Sequence, residues 1–297
     1  VTGQTWCFDS TNNVLRYWTG SAFTTYPTAT TPISVGTARL TYVSATSIQL
    51  GQGVIPLDVA GTWIMRPVTA AITIANTGLV ATTTYFVYAY DASGTTTLFL
   101  STTGHTTNAS FGVEVFNGSS GVCTPGAFCT LVGMIRTQGS TPGQFVDSAT
   151  QRFTISYFNR RAIGMVNNFT ADRTTTIVTY VELNTEIRCE FVTWSDEAVI
   201  VTVQGLGTNA TANVNQSTAI GFDGTNQENA VNFGVSPTAN FAFPIGLGLV
   251  KNGLSEGYHY VTVLGAVASS TGTWQGAAYV ANTTQRASNS LSVGIRG

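Results

Sequence analysis

Charged side chains are scarce in this chain. Asp, Glu, Lys and Arg together make up 9% of the 297 residues, against about 25% in an ordinary soluble domain. Lysine occurs once, at Lys251, beside eleven arginines, and the formal net charge is −2. A chain so poor in cations has no electrostatic grip on nucleic acid. Its two histidines, His105 and His259, and four cysteines without a CxxC pair disfavour a zinc site. No stretch reaches the roughly 18 consecutive apolar residues of a membrane helix, so no membrane insertion is expected. The opening VTGQTWCFDS lacks the basic-then-apolar pattern of a signal peptide. Helix signals are missing too: no window of about 11 residues pairs helical apolar spacing with a light load of Thr, Val and Gly. Neither GxSxG nor a phosphate loop with its Lys-Ser/Thr is present, and the Gly-rich GLGTNATANVNQ and PIGLGLVKNG follow no strand-to-helix pattern. No cofactor is expected.

What remains is a polar surface built from Thr, Ser, Asn, Gln and Gly. Such a surface suits strands, because Thr is β-branched and stiff at χ1. Strand-like runs recur about every 8 to 15 residues with turn clusters between them, which predicts an all-β protein. Residues 1–35 read as a leading segment: TWCF and VLRYW pair as a hairpin across DSTNN, and TTYPTATTPIS is an extended connector. Residues 36–161 form a β-rich module. Its clearest strand is Thr84 to Tyr90, with Tyr85, Val87 and Ala89 on one face and Phe86, Tyr88 and Tyr90 on the other. Both faces being apolar, both are predicted to be covered, one of them by a neighbouring subunit. Residues 162–297 carry strand candidates TTIVTYVEL, IRCEFVTW, EAVIVTVQG, TAIGFDG, YHYVTVLGAV, WQGAAYV and SLSVGIR. Seven or eight strands with long loops predict a jelly-roll-like sandwich.

One region carries a family likeness. It runs through ATTTYFVYAYDASGTTTLFLSTTGH, LVGMIRT and GQFVDSATQRFTISYFNRR, between Ala81 and Arg161. The aromatic strand ending in YAY, the Ser-Thr-Thr-Gly-His loop, the Leu-Val-Gly-Met strand and the closing Phe-Asn-Arg resemble a module of tail-fibre and spike proteins of tailed bacteriophages. The ending, GLSEGYHYVTVLGAV, an insert with Trp274 and a last LSV strand, is similar to the terminal strands of phage fibre tips. The resemblance covers about a quarter of the chain and holds no catalytic signature. It implies a virion-surface protein made in the bacterial cytoplasm and released by lysis. It also implies a homotrimer whose N-terminal half meets other virion proteins and whose C-terminal domain is distal. The role expected is attachment to the host surface without enzymatic activity; the alternatives are a capsid decoration or head fibre and, disfavoured because the chain shows no regular β-helix repeat, a polysaccharide depolymerase.

Candidate chemistry is sparse. Glu182, Glu186 and Glu190, with Asp196 and Glu197 beyond, are the densest carboxylates; a glycosidase needs two about 5–10 Å apart, yet ELNTEIRCEF reads as strand, turn and strand with solvated turn charges. His259, between Tyr258 and Tyr260, and His105 read as structural, and no Ser-His-Asp set can be assembled. Six Asn-x-Ser/Thr sequons, at Asn108, Asn117, Asn168, Asn209, Asn215 and Asn282, read as loops. Trp194, Tyr258, Trp274 and Tyr279, near predicted strand ends, are the candidates to stack on host surface polysaccharide; the competing reading makes each a core residue. Arg160-Arg161 would meet an acidic polymer or carboxylates across a subunit contact. Cys123 and Cys129 flank TPGAF, whose Pro125-Gly126 turn predicts a disulfide. Cys189 reads as a buried thiol, and Cys7 as buried, free or bridged to another subunit.

Overall fold

The computed structural model describes residues 36–118, 123, 128–140, 142–276 and 288–297, and the backbone of three short strands before them. Those are β1 (Trp6–Asp9), β2 (Val14–Trp18) and β3 (Phe23–Thr25), in one antiparallel sheet with β2 central. Trp6 faces Tyr17 and Asp9 faces Val14, the hairpin expected across DSTNN. Thr24 and Thr25, the first residues of the expected Thr- and Pro-rich connector, belong to β3, and the rest of it lies outside the described residues.

From Leu40 the regular structure is strand, apart from one 3-10 turn at Thr185–Ile187. β4 (Leu40–Ser44) and β5 (Ser47–Leu50) pair, β6 (Gly53–Val59) and β7 (Thr62–Val68) form a hairpin, and β8 (Ile72–Ala75) joins β5. The β6–β7 turn puts Ala60 and Gly61 at φ 51° and 84°, the twist that a two-residue hairpin loop needs. A larger sheet follows, from β9 (Thr84–Ala92), β10 (Thr95–Ser101), β11 (His105–Asn108), β12 (Val113–Phe116) and β13 (Thr130–Gln138). Its order is β10-β9-β13-β12-β11; β14 (Gln144–Phe145) and β16 (Thr154–Ser156) also bond β13, while β15 (Gln151–Arg152) leaves it.

β9 answers the question its sequence raised. Tyr85, Val87 and Ala89 pack with Leu40, Ile48 and Ile55 in one core; Tyr88, flanked by Phe86 and Tyr90, belongs to a second. Both faces are thus covered inside the chain, so this strand gives no reason to call in a neighbouring subunit.

The second half is a jelly roll. Its strands are β17 (Ala162–Asn168), β18 (Arg173–Thr175), β19 (Val181–Glu182), β20 (Cys189–Thr193), β21 (Val199–Asn209), β22 (Asn215–Phe222), β23 (Gln227–Val235), β24 (Phe243–Lys251), β25 (Gly257–Val267), β26 (Gly272–Trp274) and β27 (Ser290–Arg296). β17 and β18 are two lengths of one strand, as are β19 and β20, and β26 and β27, because each pair lies along a single edge of its neighbour. Counted so, the first strand lies beside the eighth, the third beside the eighth and the sixth; in the facing sheet the seventh separates the second from the fourth, and the fifth closes the edge. That is jelly-roll order. Alternation drives it: Val199, Val201 and Val203 are fully buried, while Ile200 is 56% exposed.

The hydrophobic core does not divide where the jelly roll begins at Ala162. One cluster joins Leu131, Met134 and Ile155 to Ile187, Phe191, Trp194 and Val293. β15 extends the jelly-roll sheet by pairing parallel to β20. Among the described residues no helix is long and apolar enough to cross a membrane.

Candidate functional site

The aromatic candidates do not come together. Trp194 is 1% exposed, donates from Nε1 to the Ser156 carbonyl at 3.1 Å and meets Tyr157 edge-on at 5.3 Å. Trp274 is 0% exposed and donates to Thr218 Oγ1 at 2.7 Å. Gly265 leaves room for that indole, since a Cβ there would sit 2.6 Å from it. Both indoles are therefore core, and the expectation that they stack on sugar is corrected. An indole at a strand end satisfies its one donor inside the fold as readily as at a surface. Tyr279 lies outside the described residues.

Tyr258 alone stays half-exposed, and it anchors the best-built polar site. Its hydroxyl donates to Glu190 Oε1 at 2.6 Å, and Gln151 Nε2 donates to the other oxygen of that carboxylate at 2.5 Å. Arg136 lies 3.9 Å over the Tyr258 ring, and Arg188 lies 4.0 Å over Tyr260. Glu190 and Gln151 open onto a cleft of about 390 Å³ that Thr150, Asn167, Glu186 and Arg188 also line. Strand pairing makes the site: β15 places Gln151 opposite Glu190, and β25 places Tyr260 opposite Glu190 from the other side. Gln151 had no sequence signal, because its partner lies 39 residues away.

The carboxylates are paired rather than merely solvated, which corrects their reading as free turn charges. Arg188 grips Glu182 with two bonds of 2.6 Å, and Thr262 adds one of 2.7 Å. Glu186 accepts from Thr170 at 2.7 Å and from Arg173. Burial alone would raise both pKa values, but these donors outweigh it and hold both below the usual carboxylate range. A glycosidase acid needs its pKa raised; the shifts of Glu182 and Glu186 run the other way.

A second polar cluster sits between the module and the jelly roll. His105 Nδ1 meets Glu114 at 2.5 Å and Nε2 meets Glu256 at 2.9 Å. Burial pulls the His105 pKa down, and the two carboxylates more than reverse it, so it is raised. Arg160 Nη1 donates to Asp196 at 2.7 Å and to Glu197 at 2.8 Å. The carboxylates awaited across a subunit contact are therefore in the same chain. Between these groups is a cavity of about 170 Å³.

A Ser-His-Asp grouping that the sequence did not disclose is also present. His259 Nδ1 lies 2.6 Å from Asp223 Oδ2, and Nε2 lies 3.3 Å from Ser255 Oγ. The wiring is wrong for a nucleophile, because Nε2 is closer, at 2.8 Å, to the Ser255 carbonyl. A carbonyl accepts only, so Nε2 carries a proton and cannot take one from the hydroxyl. His259 ties the loop before β25 to the one after β22.

Cys123 and Cys129 are disulfide-bonded, with Cα atoms 5.8 Å apart. Cys189 is fully buried, and burial, then Glu190, pushes its thiol up to about 12. The Cys7 side chain lies outside the described residues. Among those residues no group of three or more His, Cys, Asp or Glu is placed to hold a metal.

No protein-family model matches the chain, and no curated protein does. Among solved structures it is similar to infectious bursal disease virus Gx strain, at 9% identity and TM-score 0.28, over 99% of this chain and 64% of that one. It is similar to the VP2 subviral particle of the same virus at 10% identity and TM-score 0.26, over 99% and 72%. It is also similar to BuGH86wt in complex with neoagarooctaose at 12% identity and TM-score 0.24, over 89% of this chain and 34% of that one. Likenesses this weak carry no functional inference.

Proposed function

We propose that this chain is an adhesive structural protein of a virus particle, a fibre or spike of the tailed-phage kind, that attaches to host surface polysaccharide. The observation that carries the reading is the Glu190–Gln151 cleft. Its wall combines amides, hydroxyls, a carboxylate held by the Tyr258 hydroxyl and the Gln151 amide, and the ion-paired Glu186 and Arg188. Such a wall exchanges hydrogen bonds with sugar hydroxyls without burying an unpaired charge. Gln151, Asn167 and Glu190 sit on strands, which holds that part of the wall in one geometry. The module resemblance between Ala81 and Arg161 supports the virion setting and the polarity, with the first half toward the particle and the jelly roll outward.

A homotrimer fits this role because three weak sites per trimer, on many trimers, raise avidity by about 10²–10⁴. The shared core makes isolated halves poor reagents, so the test uses the whole chain. Gold-labelled antibody should mark fibres or spikes on particles, and purified protein should compete with particles for adsorption. Gln151→Ala protein, folded by circular dichroism, should compete less well. Label on the head shell with no competition would show a decoration role; release of new reducing ends from polysaccharide would show a depolymerase. Either result overturns the reading.

A further inference from the structure

The chain has two histidines, and both act on one short segment. Residues 252–256 join β24 to β25 and belong to neither. Glycines at positive φ mark its two ends, Gly253 at 72° and Gly257 at 127°, where the backbone can turn freely. Among the described residues none makes a backbone–backbone hydrogen bond to it. Leu254, 8% exposed, seats its side chain in the core. Its polar ties run to the two imidazoles. Glu256 Oε1 lies 2.9 Å from His105 Nε2, and the Ser255 carbonyl lies 2.8 Å from His259 Nε2.

Each imidazole meets an acceptor at both nitrogens. His105 Nδ1 faces Glu114 of β12 at 2.5 Å, and His259 Nδ1 faces Asp223, just after β22, at 2.6 Å. Carbonyls and ionised carboxylates only accept, so each ring donates twice, which only the charged imidazolium can do. Burial opposes that charge in both rings, and the bonded acceptors outweigh it, so both pKa values are raised. Around His105 also stand Tyr88 of β9, Tyr157 and Arg160 beyond β16, and Asp196 and Glu197 between β20 and β21. Asp223 is the charged group facing His259, and the Phe191 ring of β20 lies 6.3 Å from it. Removing one proton leaves each ring a single N–H. It stays on Nδ1, where the bond is the shorter and the acceptor is a carboxylate. Nε2 then turns a lone pair toward Glu256 in one ring and toward the Ser255 carbonyl in the other. Both lost bonds are those that hold the segment.

We propose that residues 252–257 are a strap that His105 and His259 hold shut while both are charged, and that swings out about Gly253 and Gly257 when the rings lose their protons. Its opening enlarges the cavity of about 170 Å³ between the module and the jelly roll, whose wall includes Glu256, Tyr157 and Trp194. The direction follows from linkage. With raised folded pKa values, the ties are in full force below the unfolded value of about 6.5 and fade as pH climbs through the folded values. The strap is therefore closed in mild acid and opens toward alkaline pH. Leu254 is the one side chain it contributes to the core, so the opening is local.

Lys251, the single lysine, ends β24 and gives a lysine-specific endoprotease its one cleavage site at the edge of the strap. Full-length protein is cut from about pH 6 to about pH 9, each rate being divided by that of a peptide of the same local sequence. That ratio should rise about tenfold over the range as the ties titrate. Glu256→Ala should be cut fast already in mild acid. Glu256→Gln, whose amide can turn to accept or to donate, should show a smaller rise than the parent. In protein carrying isotope-labelled histidine, nuclear magnetic resonance should find both rings doubly protonated in mild acid and titrating in step with the cleavage ratio. A flat ratio overturns the proposal, as does either ring found singly protonated in mild acid. So does a rise that both Glu256 variants share in full with the parent. A rise that tracks loss of far-ultraviolet circular dichroism reports global unfolding and also overturns it.

Discussion

Replacing Trp194 by alanine separates a core indole from a surface one. The side chain fills space where the module meets the jelly roll, against Tyr157, and is 1% exposed. Truncating a buried Trp to Ala costs about 3–5 kcal/mol through lost transfer energy and the cavity left behind. The Ser156 carbonyl would also lose the indole N–H that now reaches it at 3.1 Å, and a buried group left unmatched costs about 1–3 kcal/mol. Against a total stability of about 5–15 kcal/mol, the variant should be severely weakened or unfolded. Trp194→Phe keeps most of the volume and should lose about 1–2 kcal/mol, mainly the hydrogen bond. Urea unfolding followed by far-ultraviolet circular dichroism measures both. A Trp194→Ala protein as stable as the parent, yet unable to bind saccharide, would refute the burial reasoning and restore Trp194 as a stacking residue.

Further outcomes follow from other sites. Gly234→Ala should destabilise the jelly roll, because a Cβ there would sit 2.0 Å from the Phe243 ring, whereas Gly246→Ala, with nothing within 4 Å, should be neutral or stabilising; thermal melts of the two variants decide. His105, with its raised pKa, adds stability in full below its unfolded value of about 6.5 and loses it as pH rises through the folded value. The stability gap between wild type and His105→Gln should therefore be widest in mild acid and narrow toward alkaline pH; a gap that widens with pH would refute the two-carboxylate clamp. In native protein, iodoacetamide should leave Cys189 unmodified and reach Cys123 and Cys129 only after reduction, as intact mass will show. Removing that disulfide should cost about 2 kcal/mol, less any strain.

The all-β character was legible from composition and alternation alone, because period-2 burial depends on neighbours along one strand. Ser93 and Gly94, within the DASG turn, adopt the positive φ values of 53° and 90° that their residue types permit. The Cys123–Cys129 link was legible for the same reason, since its partners are local. Strand status failed where tertiary position outweighs propensity. Ile177 and Val178, within the predicted strand TTIVTYVEL, are 45% and 68% exposed, because the chain there crosses from one jelly-roll sheet to the other. β23 and β24 went unpredicted because Asn, Gln, Gly and Pro break up their apolar pattern and Phe233, Val235 and Val250 point outward, and their pairing with β22 and β21 is what makes them strands. The sites depended most on the fold. Whether Trp194 and Trp274 face sugar or core, and which of the scattered carboxylates Arg160, Arg188 and Gln151 would meet, is set by contacts between residues far apart in the chain. Sequence spacing does not encode those distances; only the packing of one sheet on another does.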